Sequence, residues 1–173
     1  MHPEGGCGFK SHGTYERKRP AGVLVRRWYC PKAGTTFSLL PDWVASRYPA
    51  ALGEIEDVVA QAEQAPSQAK AIEQLWPEVG LVGAQRKLRR WCRAVTMTLT
   101  LARGLLPELQ GGTSTLATVR ERLGTDEVLV NLREKLADRL ASLPPPVGFG
   151  PRPRGRPPRR SEQQHEAGPD PPR

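Results

Sequence analysis

The sequence predicts a mainly α-helical chain with a small β ribbon at its start and an irregular basic tail at its end. Three observations lead there. Residues 1–43 interleave glycine with short β-prone runs. From Ala50 to Leu143 apolar residues recur at helical spacing, broken at intervals by proline and glycine. From Pro144 onward proline, arginine and glycine dominate, a composition with too little to bury.

In the ribbon, Val23-Leu24-Val25 and Trp28-Tyr29 flank the pair Arg26-Arg27, and Thr35-Thr36-Phe37-Ser38 follows a Pro-Lys-Ala-Gly turn. Two or three short strands are expected. So small a sheet needs a metal or a neighbouring helix for stability.

The first helix places Ile55, Val58, Val59 and Ala62 on one face and ends near Pro66. Ser67 suits the N-cap of a second, shorter helix bearing Ile72, Leu75 and Trp76, which Pro77 terminates. A third helix runs from about Val82 towards Leu106. At about 100° per residue, Leu88, Trp91, Cys92, Val95, Leu99, Ala102 and Leu106 form one stripe. Arg86, Lys87, Arg89, Arg90 and Arg93 are expected on the opposite arc. An unpaired cationic face on a long helix that follows a short helix and a turn has the form of a helix-turn-helix recognition element. A basic surface on an ordinary helical core is the alternative.

Beyond Pro107 and Gly111-Gly112, a short helix from about Leu116 to Leu123 stops at Gly124. Thr125 or Asp126 can cap a final helix whose Leu129, Leu132, Leu136, Leu140 and Leu143 align. That stripe suits a core, or else a dimer seam. The expected units are therefore a ribbon module over 1–43, a helix-turn-helix-like region over 50–106, C-terminal helices over 107–143 and a disordered tail over 144–173.

Charge follows the same divisions. The whole chain carries +8 at pH 7 with a pI near 9.9, which favours polyanionic partners. Residues 1–50 carry +5, residues 51–80 carry −5 and residues 81–105 carry +6. Between Glu78 and Glu108 there is no carboxylate at all. Double-stranded DNA is the partner these blocks suggest, with Lys18, Arg26 and Arg27 also on phosphates. In the tail, Arg154-Gly155-Arg156-Pro157 has the form of an AT-hook, in which glycine sinks to the minor-groove floor between arginines. Its alternative is a merely compositional run of arginine and proline.

No apolar run approaches the roughly 18 residues that would span a bilayer, and no secretory leader precedes Cys7. Three cysteines make a disulfide framework improbable, so a reducing cytoplasm is expected. The nucleophile elbow, the phosphate-binding glycine loop and the paired His-Glu metal helix are all missing, and no enzyme is expected.

The stretches HGTYERKRPAG, VRRWYCP and GTTFSLLPDW resemble the zinc-ribbon opening of bacterial insertion-sequence transposases. They are closer to a family of short bacterial ribbon/helix-turn-helix proteins related to those enzymes. That family carries a CPxC pair, a His-Gly-x-Tyr-x-Arg segment, and a second CPxC before Gly-x-Thr-Phe-Ser-Leu-Leu-Pro. The likeness covers residues 7–43, and more loosely the Gln85–Val95 helix. It implies DNA binding and a zinc site, of which only Cys7 and Cys30 match ligand positions. Ala33 stands where the last cysteine would be, and His12 or His2 would have to complete the set. Without the metal, the resemblance implies a ribbon held by Trp28, Tyr29, Phe37 and Leu39 packing on the helices. A transposase would further need a carboxylate trio on a central sheet, and no strand run after residue 50 could build one. The remaining alternatives are a helical protein-interaction module and an inactive remnant of an insertion-sequence protein.

Overall fold

The computed structural model describes residues 8–150. Three antiparallel strands, β1 (Lys10–Glu16), β2 (Leu24–Cys30) and β3 (Thr35–Leu39), form a sheet in the order β1-β2-β3. Five helices follow: α1 (Leu52–Gln64), α2 (Gln68–Leu75), α3 (Leu81–Leu105), α4 (Leu116–Leu123) and α5 (Val128–Lys135).

Local chemistry sets most boundaries. The Ser67 hydroxyl accepts the Lys70 N–H at 3.2 Å to open α2. Thr115 does the same for α4 through the Thr118 N–H at 3.3 Å. Gly124 closes α4 in the left-handed conformation, at φ 61°, where a side chain would be strained. Pro77 keeps α2 from continuing, and five residues (Trp76 to Gly80) separate α2 from α3.

The main core is helical. It gathers Leu52, Ile55 and Val59 of α1, Leu88, Trp91, Val95 and Leu99 of α3, and Leu129, Leu132 and Leu136 at the C-terminal end. The leucine stripe beginning at Leu129 is therefore consumed inside the chain, since Leu143 is buried as well.

Two carboxylates of α1, two turns apart, organise the C-terminal helices. Glu56, only 2 % exposed, accepts the Val128 and Leu129 N–H groups at 3.1 and 2.9 Å and the Arg120 guanidinium at 3.0 Å. It caps α5 from a distance of more than seventy residues along the chain. Both oxygens of Glu63 lie 3.1 Å from the Leu116 N–H at the start of α4. The acidic block thus includes fold-building groups, not only a solvated face.

Three expectations fail. The last helix ends at Lys135, with a single 3-10 turn over Ala137–Arg139, instead of running to Leu143. The expected disorder from Pro144 does not begin there: Pro144 to Gly148 are buried. Arg133, 2 % exposed, is the reason. Its Nε donates to Val147 O at 2.9 Å, its Nη2 to Pro146 O at 2.9 Å, and its Nη1 to Asp42 O and Val44 O at 2.7 Å each. Burial pushes this guanidinium's pKa down, while nearby Asp42 opposes the shift. Ser46 adds bonds to Pro146 O, 2.9 Å from its N–H, and to Gly148 O through its hydroxyl. One cation gathers the segment after β3, helix α5 and the proline strap.

The third correction concerns the ribbon. Its inward contact is a small cluster of Val23, Val25 and Val44 with Leu40 beside them, separate from the helical core. Trp28, Phe37 and Leu39 lie on the other face by strand alternation, and Phe37 and Leu39 are exposed. They do not hold the sheet to the helices. The clasp is Arg17, whose guanidinium donates to Ala45 O at 3.2 Å and Tyr48 O at 2.6 Å. No described helix is long and apolar enough to cross a membrane.

Candidate nucleic-acid interface

Helix α3 has the two faces its periodicity requires. Leu88, Trp91, Val95, Leu99 and Ala102 are buried, while Arg86, Arg89, Arg90 and Arg93 are exposed on the opposite side. None of these four makes an ion pair within 4.0 Å among the described residues. Arg89 reaches only the Gln68 amide oxygen, at 3.3 Å, and Arg90 lies 5.3 Å from the centre of the Tyr48 ring. All four occupy about two turns, so their charges act on one short stretch of surface.

Lys87 departs from the expectation of an outward position. Its Nζ sits 4.5 Å from the Trp76 ring centre and 4.3 Å from that of Trp91, and 3.9 Å from a Glu54 oxygen. The two rings meet edge-to-face, 6.2 Å apart at 81°. The ammonium between them is held by the negative faces of both aromatics. Burial lowers its pKa; Glu54 works against that, and neighbouring Arg19 and Arg90 reinforce it. Lys87 therefore fastens the end of α2 to α3 instead of facing outward. The sequence contained this signal, because Lys87 is only about 40° round the helix from Trp91.

The charge of Arg19, in the β1–β2 turn, is near enough to Lys87 to help lower its pKa. Arg17 in that turn holds Tyr48, over whose ring Arg90 lies. The exposed Arg19 is thereby brought near the start of α3, with exposed Lys18 next to it in the chain. Arg19 was not singled out from the sequence; only the folded clasp places it there. At the α3 N-terminus Gly80 offers no side-chain cap and the first turn has no acid, so its N–H dipoles remain directed outward.

Arg26 and Arg27 do not act as a pair. Adjacent strand residues point to opposite faces: Arg26, opposite Leu39, is on the Trp28 side, and Arg27, opposite Ser38, on the Val25 side. The proposed metal ligands are likewise divided. Cys30 is buried and belongs by alternation to the Trp28 face, whereas the His12 ring lies 6.0 Å from that of Tyr29 on the other face. The two do not converge, and no three His, Cys, Asp or Glu side chains cluster among the described residues. Cys7 and His2, and the tail arginines Arg154 and Arg156, lie outside the described residues. Cys92 is half-buried on α3, and its thiol pKa is raised by burial, as for an inert packing residue.

Compared with family models, curated proteins and solved structures, the chain matches none of them.

Proposed function

We propose that this protein is a non-enzymatic binder of double-stranded DNA, of the ribbon/helix-turn-helix type that its first 43 residues resemble. The observation that carries the reading is the row Arg86, Arg89, Arg90 and Arg93, exposed and without counter-charges among the described residues. In this reading the first half of α3 lies in or across a major groove, its arginines reading base edges or holding phosphates. Lys18 and Arg19 follow the flanking backbone, and the uncapped first turn of α3 faces the same polyanion. The short helix α2, fastened through Trp76, Lys87 and Trp91, sets the angle at which α3 is presented. Burial of Leu129, Leu132, Leu136 and Leu143 favours this reading over a partner docked on the leucine stripe.

The test is the double charge reversal Arg89→Glu/Arg90→Glu. Affinity for a mixed-sequence duplex at about 0.1 M salt is expected to fall roughly 100-fold or more, since two cations become two repelled anions. Both positions are exposed, so the unfolding midpoint should hardly move. Duplex affinity within about twofold of the parent would reject the reading.

A further inference from the structure

The sheet has an outer face that the helical core does not use. Trp28 and Phe37 are direct cross-strand partners, as are Arg26 and Leu39, so all four side chains stand on that face. Leu24 joins them by alternation, and the Phe9 ring meets Phe37 edge-on, centroids 5.9 Å apart. Phe37 is 40 % exposed, Phe9 46 %, Leu39 58 % and Leu24 67 %. A contiguous patch of partly exposed rings on a strand surface marks an interaction site, and such rings stack well on flat apolar faces.

Charge decides which partner. The ribbon as a whole is cationic, residues 8–40 holding seven lysines and arginines against one carboxylate, while on this face the paired strand residues present Arg26 and, at the far end opposite Leu24, Glu16. Arg26 is exposed within the face, beside Leu39. A second copy laid face to face would bring two ribbons of like net charge together. A duplex keeps its base faces inside the stack, out of reach of rings on a flat sheet. An unpaired strand offers both phosphates and free base faces, and stacking on aromatics tolerates any base.

We propose that the Phe9–Trp28–Phe37 face, with Arg26, binds single-stranded nucleic acid, at a surface distinct from the arginine row of α3. Phe9 and Phe37 supply the stacking surfaces, Trp28 supports Phe37 from the neighbouring strand, and Arg26 holds a phosphate between bases. The site stands independently of the duplex reading, because none of its residues belongs to α3.

The experiment uses the full chain with fluorescent oligo-dU and oligo-U of about 15 nucleotides and a mixed-sequence duplex. Phe37→Leu keeps the apolar bulk and loses the ring; it should weaken single-strand binding about fivefold or more while duplex affinity stays within twofold. Phe37→Tyr should restore it. Phe9→Leu, outside the strand ladder, should repeat the loss without touching a cross-strand pair. Arg89→Glu/Arg90→Glu should weaken the duplex more than the single strand. A preference above tenfold between the two oligonucleotides assigns the sugar that the site takes. Single-strand affinity absent from the parent protein, or unchanged in both leucine variants, overturns the proposal. So does concentration-dependent dimerisation that Phe37→Leu abolishes with no change in oligonucleotide binding, which would give the face to a second copy.

Discussion

Replacing Arg133 with Met is expected to remove about 3–5 kcal/mol of folding stability, a large share of what a domain of this size has. The guanidinium is buried and serves carbonyls from the segment after β3 (Asp42, Val44) and from the proline strap (Pro146, Val147). Among the described residues no carboxylate pairs with it within 4.0 Å, and its hydrogen bonds go to peptide oxygens. Methionine fits the stem of the side chain but leaves those buried oxygens without donors, at about 1–3 kcal/mol for each that water cannot reach. Lysine retains the charge but not the planar fork, and one ammonium cannot span both segments, so Arg133→Lys should fall between. Urea unfolding of the two variants gives the ordering directly. A loss below about 1 kcal/mol for Arg133→Met would show that the strap is held by its apolar packing alone.

A comparable loss, about 3–5 kcal/mol, is expected for Glu56→Ala. This carboxylate satisfies two otherwise orphaned N–H groups at the start of α5 and pairs with Arg120. Alanine leaves the N–H groups of Val128 and Leu129 buried without acceptors and removes the nearer of the two carboxylates, Glu56 and Asp126, that pair with the half-buried Arg120 guanidinium. Glu56→Gln keeps one accepting oxygen and turns an amide N–H₂ towards a donor, so about half the loss is expected. Hydrogen exchange should locate the damage: the first-turn amides of α5 lose protection in Glu56→Gln, while those in the middle of α3 keep theirs. Uniform loss of protection in every helix would contradict a local capping role.

Both groups show where the sequence could be read and where it could not. Helix ends were legible because their causes are local: Ser67 and Thr115 cap the next turn, Pro77 and Gly124 stop the preceding one. The buried face of α3 was legible because it repeats every turn, and the outward arginines were its complement. Glu56 and Arg133 read as ordinary polar positions on amphipathic helices. What buries them comes from partners more than seventy and about ninety residues away, and no periodicity carries that information. The run Pro144-Pro145-Pro146 looked like the onset of disorder because proline gives no helical or strand signal. It is ordered because its carbonyls answer the need of Arg133. The ribbon was legible as strands but its orientation was misjudged, since alternation allows either face to be inward until Val23, Val25 and Val44 meet. Period-two alternation did already separate Arg26 from Arg27, and helical angle did already place Lys87 beside Trp91.

The most direct measurement of the central claim is the salt dependence of duplex binding by the parent protein and by Arg86→Gln/Arg89→Gln/Arg90→Gln/Arg93→Gln. Each phosphate neutralised contributes about 0.9 to the slope of log K against log salt concentration. If all four arginines meet phosphates, the variant's slope should be shallower by about 3–4; for each that reads a base edge instead, the difference shrinks by about 0.9. Coincident lines for the two proteins, with neither slope nor affinity changed, would place the contacts elsewhere and contradict the account.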